Sequence, residues 1–152
     1  MSTNYLERLR ELGLDVELRE FPDGTHTAQA AADAVGCPVA AIVKSLVFLL
    51  DDEPILVLVS GANRVDTESL GAQLGGTIGK ADARTVKQVT GYSIGGVPPL
   101  AHASRLRTVI DEDLLALDVV WAAAGTAMSV FALSPADLKR LSGGEVLRVT
   151  AA

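Results

Sequence analysis

Aromatic side chains are scarce in this chain: Phe, Trp and Tyr together make up 4% of its 152 residues. Any core must therefore be aliphatic, and Ala, Val, Leu and Ile bring the hydrophobic share to 49%, too high for a disordered or low-complexity chain. Cysteine is nearly absent. Cys37 stands alone, which excludes an internal disulfide and a multi-cysteine zinc site. No apolar run reaches the ~18 residues that span a bilayer. The opening MSTNYLERLRELG has no apolar segment of the kind that directs export. Basic residues are in the minority, 13 Lys and Arg against 19 Asp and Glu for a net charge of −6. That balance argues against a protein that coats a duplex, and so against DNA. Chemical signatures are missing too: there is no G-x-S-x-G elbow, no P-loop, and no G-x-G-x-x-G after a strand. His26 and His102 fall in loops without metal-ligand spacing, so neither a metal nor a cofactor is expected. The expectation is one soluble, cytoplasmic domain over residues 1–152.

The charge that is present is unevenly spread. Residues 1–60 carry four basic and ten acidic side chains, and residues 111–152 carry three and six. Residues 61–110 reverse the sign, with Arg64, Lys80, Arg84, Lys87, Arg105 and Arg107 against three acids. This third is either ordinary solvated surface or an anion site on an otherwise acidic protein.

Helical spacing of Tyr5, Leu6, Leu9 and Leu12 predicts a helix over 3–13, and alternation over 16–21 a half-exposed strand. Thr27 can cap an Ala-rich helix, 28–35, that stops at Gly36. Runs 42–50 and 54–60, joined by Asp51-Asp52-Glu53, read as a hairpin. Further helices are expected at 67–74, 82–90 and from Ser134 to Leu141. Strands are expected at 77–81, 107–111, 118–124, 128–133 and 145–149. Helices and strands mix without a strict βαβ rhythm, which points to an α+β fold with a mixed, curved sheet.

Lys44 is the most informative residue, because it interrupts the apolar run 42–50 and shares a strand face with Leu46 and Phe48. It is either an edge lysine whose stem reaches water or a cation held beside an apolar pocket to orient a carbonyl or phosphate. The loop GYSIGGVPPLAH (91–102) holds three glycines and two prolines in twelve residues. It is either a tight surface turn or a stiff loop whose amides receive an anion. Cys37 and Trp121 read as core, and Asp111-Glu112-Asp113 as a helix-start charge run. These residues give a pocket with one lysine and a Gly/Pro loop, but no nucleophile.

Taken in order, HTAQAAADAVGCPVAAIVKSLVF, PILVLVSGANRVD and TGYSIGGVPPLAH resemble the YbaK/prolyl-tRNA-synthetase-associated domain family. These are trans-editing aminoacyl-tRNA deacylases, and the likeness runs from about residue 20 to about 142. The resemblance implies an α+β fold with a barrel-like sheet and surrounding helices, in a freestanding member. It implies hydrolysis of a wrongly attached amino acid from tRNA, typically of the prolyl type. The family's strand lysine falls on Lys44 and its G-x-x-x-P loop on Gly95 to Pro99, making Lys44, Gly95 and Gly96 the candidate catalytic residues. Candidate substrate contacts are His26, Ser45, Asn63, Val97, Pro98, Pro99 and His102. The implied partner is the aminoacyl-tRNA acceptor end, with a synthetase or elongation factor as further candidates. Ser45 stands where alanyl-editing members tend to carry Asn, and Met128-Ser129-Val130 lacks the acid of cysteinyl-editing members, so the amino acid removed stays open. The competing class is a non-catalytic module binding a small molecule or protein in the same pocket. Hydrolysis of another ester or amide is disfavoured by the missing nucleophile elbow.

Overall fold

The two apolar runs that dominate the sequence form the centre of the protein. In the computed structural model, which describes residues 2–21, 24, 27–126 and 128–151, they are β2 (Ile42–Leu50) and β3 (Glu53–Ser60). Their connection is tighter than the three residues expected. Glu53 pairs with Leu50, and the turn is Asp51-Asp52 alone, with φ of 47° and 70°. Positive φ at both central residues suits the right-handed twist of a hairpin, and aspartate tolerates it. Asp51 Oδ1 also accepts the Thr77 N–H at 3.0 Å, tying the turn to the next segment.

Around this hairpin lie α1 (Ser2–Glu11), β1 (Leu18–Glu20), α2 (Ala28–Val35), α3 (Thr67–Leu74), β4 (Ile78–Lys80) and α4 (Ala83–Thr90). The chain continues through β5 (Arg107–Asp111), β6 (Val120–Ala123), β7 (Ser129–Leu133), α5 (Pro135–Ser142) and β8 (Glu145–Leu147). One sheet runs β1-β7-β6-β2-β3-β5-β8, with β4 paired to β2 off this path. It is mixed: β2–β6, β3–β5 and β5–β8 are parallel, the rest antiparallel. The fold is the expected α+β, and the sheet is open, with β1 and β8 at its two ends.

Several strands are shorter than the apolar pattern suggested. The run 118–124 contributes only Val120–Ala123, because pairing with β7 covers those four positions and Val119 is 44% exposed. Helix boundaries follow the sequence more closely. Thr27 caps α2 by accepting from the Ala30 N–H, and Asp66, Asp82 and Ser134 cap α3, α4 and α5 in the same way. Among the described residues no helix is long and apolar enough to cross a membrane.

Strand β3 is buried on both faces. Leu56 and Leu58 join Tyr5, Leu9, Ile110, Phe131 and Leu138 in the main core. Ile55, Val57 and Val59 face the other way, against Leu70 of α3 and Val109. Continuous hydrophobicity without alternation marks such a central strand.

Candidate active site

A break in the sheet creates the site. Strand β2 pairs with β6 only at Ile42 and Val43, and with β4 only at Phe48 to Leu50. Between them, residues 44–47 have no neighbouring strand on that edge among the described residues. A cavity of about 530 Å³ occupies this gap. Alternation sends Lys44 and Leu46 to one face of β2 and Val43, Ser45 and Val47 to the other, and the cavity reaches both because it lies at the edge. Ala28 and Ala31 of α2, Val86 of α4, Trp121, Val130 and the loop residues Ile94, Gly95 and Val97 close it. The lining is mostly aliphatic, with Lys44 and Lys80 as its cations.

Lys44 is held from below. Its Nζ donates to the Asn63 carbonyl at 2.7 Å. The Asn63 side chain is fixed in turn, its Nδ2 donating to Asp111 Oδ2 at 2.8 Å and to Asp113 Oδ2 at 2.7 Å. Asp111 is 1% exposed, and it also accepts the Ser60 N–H at 3.1 Å and the Asp113 N–H at 3.0 Å. A buried carboxylate at the end of β5 thus clamps the 60–63 turn whose carbonyl receives the ammonium. Partial burial pushes the Lys44 pKa below the ordinary lysine value, and the nearby Arg64 charge adds to this, while Asp111 opposes it. The result is a half-buried cation with three hydrogen-bond donors and only one protein acceptor among the described residues.

The two central glycines of the loop serve different ends. Gly95 has φ +91°, and a Cβ there would meet nothing within 4 Å, so backbone conformation is what demands glycine. At Gly96 a Cβ would lie 2.8 Å from Thr126 Cα, so close approach to the β6–β7 turn demands it. The Gly96 N–H donates to the Ser93 carbonyl at 3.0 Å, and Pro98 and Pro99 have no N–H. Within the segment 95–99, Gly95 and Val97 therefore carry the amides that have no acceptor among the described residues. The far limb is clamped by three side chains. His102 Nε2 donates to the Pro98 carbonyl at 2.6 Å, Tyr5 Oη to Leu100 at 3.1 Å, and Tyr92 Oη to Ala101 at 3.0 Å. The last holds Ala101 at φ +63°, unusual for alanine. Burial pushes the His102 pKa below its ordinary value, with the Pro98 carbonyl opposing, which favours a neutral ring protonated at Nε2.

The cavity thus brings together Lys44, Ser45, Gly95 and Val97. Asn63 reaches it through the carbonyl on Lys44. Gly96 lines a second cleft on the other side of the loop, and Pro99 and His102 line a third cavity away from Lys44. Pro98 is buried and lines none of these cavities; its carbonyl is held by His102. His26 lies outside the described residues. Ser45 Oγ is buried and has no hydrogen-bond partner among the described residues. Two contributors escape the sequence reading. Trp121, expected in the core, is half-buried and lines the cavity, with the Arg19 guanidinium 5.5 Å from its ring centre. Asp111 does act at a helix start, through the Asp113 N–H, but its larger role is the clamp. The available signal was a carboxylate closing an apolar strand, RTVID. Cys37 is half-buried against the satellite cluster of Ala31, Ala32 and Ile42, and burial raises its pKa.

Comparison with known proteins bears on this arrangement directly. A family model for the aminoacyl-tRNA editing domain matches residues 22–141, a span that takes in β2, the 60–63 turn and the whole glycine/proline loop. The uncharacterized protein YwhH of Bacillus subtilis (strain 168) is 28% identical over 86% of this chain and 83% of its own length. The proline–tRNA ligase of Lactobacillus helveticus is 31% identical over 67% of this chain, which spans 18% of that enzyme. A crystal structure of a candidate trans-editing enzyme for prolyl tRNA synthetase superposes with a TM-score of 0.94 and 39% identity, covering 99% of this chain and 97% of that one. The lysine beside a gap in the sheet and the clamped loop facing it lie within the matched span, and the chain belongs to the aminoacyl-tRNA editing domain family.

Proposed function

We propose that this protein is a trans-editing deacylase that hydrolyses the ester of a mischarged aminoacyl-tRNA, a tRNA-Pro or related tRNA carrying a small or medium aliphatic amino acid. The observation that carries this reading is that Lys44, Gly95 and Val97 line one cavity of about 530 Å³, and that the N–H groups of Gly95 and Val97 have no acceptor among the described residues. Lys44 holds the phosphate of the 3′-terminal adenosine or the ester carbonyl. The two amides receive the oxyanion that forms when water adds to the ester carbon. The adjacent ribose hydroxyl assists the attack, the carbon–oxygen bond to the ribose breaks, and the ribose oxygen takes up the proton. Positioning and preorganised charge supply the catalysis, with no protein nucleophile and no metal. The aliphatic walls select the side chain, at only ~1–3 kcal/mol per methylene, which implies overlapping specificity. The acceptor end is the partner, and the site of action is the cytoplasm.

Incubation with a panel of mischarged tRNAs tests the reading. Wild-type protein should release amino acid from at least one of them, and Lys44→Ala should lose ~10²-fold or more in rate while keeping its fold. Wild-type-like turnover by that variant overturns the role of the lysine. A panel with no turnover, combined with a ligand-induced rise in melting temperature, assigns the pocket to a binding module.

A further inference from the structure

The loop that walls the ester cavity has a second side. There a cleft of about 440 Å³ is lined by Arg8 of α1, Lys87 of α4, Tyr92, Ser93, Gly96 and Thr126. Ile94, 63% exposed, lines both this cleft and the ester cavity, so the two adjoin across one residue. We propose that this cleft binds a phosphodiester of the single-stranded acceptor end, just before the reacting nucleotide. The proposal rests on the deacylase reading for the identity of the RNA.

Three observations carry it. First, among the described residues no Asp or Glu lines the cleft, although the chain holds 19 of them. Glu11 lines only the neighbouring cavity around His102, which Arg8 also borders, and Glu7, exposed on the same helix, lines neither. Second, neither cation forms an ion pair with a carboxylate among the described residues. Third, the arginine is already aimed. Arg8 Nη1 donates to Tyr92 Oη at 2.7 Å, Tyr92 Oη is fixed by its own bond to the Ala101 carbonyl, and the Tyr92 ring packs edge-on against Tyr5 at 6.0 Å. A guanidinium held by one N–H keeps its remaining donors for a planar pair of phosphate oxygens. Lys87 Nζ stands 3.3 Å from the Gly91 carbonyl at the cleft wall, where it adds a second charge, and Ser93 adds a hydroxyl. A compact anion suits such a site, and a chain of phosphates on one side of the loop suits an ester on the other.

The test uses the full chain and two non-hydrolysable probes. One is the trinucleotide CCA carrying an amino acid in amide linkage at its 3′ end; the other is the same aminoacyl adenosine without any phosphate. Arg8→Gln, Lys87→Gln and the double variant are compared with wild type by fluorescence anisotropy and competition, with melting temperatures as a folding check. The double variant should lower the ratio of trinucleotide to nucleoside affinity about tenfold or more, and its log–log salt slope should fall by about 0.7 per cation removed. An unchanged ratio and slope overturn the cleft whatever the deacylation result, as does wild-type protein that fails to bind the trinucleotide. Wild-type protein that binds it with the expected slope yet deacylates no tRNA overturns the deacylase reading and leaves the cleft standing.

Discussion

Lys44 sits where charge is unfavourable for folding. Partial burial and Arg64 depress its pKa below the ordinary lysine value of 10.5, with Asp111 opposing. A cation whose folded pKa lies below its unfolded value costs stability at every pH beneath the folded pKa. That cost is relieved as pH rises through the folded pKa toward 10.5. Lys44→Met, which keeps the stem and removes the charge, should therefore melt at or above the wild-type temperature while losing deacylation. Wild-type activity, corrected for spontaneous ester hydrolysis, should fall on the alkaline side with a midpoint below 10.5. A melting temperature several degrees below wild type would show that the lysine is structural.

His102 behaves oppositely with respect to function. It stands behind the loop, holding Pro98. Its folded pKa is depressed below 6.5 by burial, so the stability it confers is present above 6.5 and is lost as pH falls through the folded value. Thermal melts from neutral pH toward pH 5 should show a steeper decline for wild type than for His102→Gln. Parallel curves would remove the histidine from the clamp.

At the scale of the element, the glycine/proline loop separates two requirements that look alike in sequence. Gly96→Val places a Cβ 2.8 Å from Thr126 Cα, backbone that cannot move aside cheaply. The loop must lift from the β6–β7 turn, at a cost of about 1–3 kcal/mol, and activity should be lost with it. Gly95→Ala meets no atom but must adopt φ +91°, costing about 1–2 kcal/mol. Its amide remains in place, so part of the activity should survive. Chemical denaturation beside turnover separates the two, and equal activity loss in both variants would refute the distinction. Strand β2 shows the same division of labour. Its apolar run determines that it is a strand, while its split pairing, β6 at one end and β4 at the other, opens the cavity between.

Over the whole molecule, the net charge of −6 limits the area that can meet RNA. The basic stretch 61–110 does not form one patch. Lys80 lines the cavity beside β2, Lys87 the cleft beyond the loop and Arg105 the cavity around His102, while Arg107 pairs with Glu145 at 3.4 Å. Binding of an acceptor-stem RNA should thus show a shallow salt dependence. Raising salt from 50 to 200 mM should weaken it about tenfold, rather than the 10³–10⁵ of proteins that neutralise many phosphates. A steep slope would mean a larger RNA-binding surface than this charge distribution provides.

The sequence by itself determined the elements and the family. Apolar periodicity, caps such as Thr27 and Ser134, and the glycine stops are local signals, and they placed the helices and the central hairpin within a few residues. Lys44 was legible because a charge inside an apolar run is costly unless it is used. Only the tertiary structure decided what surrounds it. The gap beside β2 depends on two strands more than 25 residues away in either case, β4 and β6. The Asp111 clamp joins residues 48 and 51 apart, and the distinct needs of Gly95 and Gly96 appear only when Thr126 is brought against the loop. Such contacts leave no periodic trace, since each depends on where the chain returns in space rather than on its neighbours in sequence.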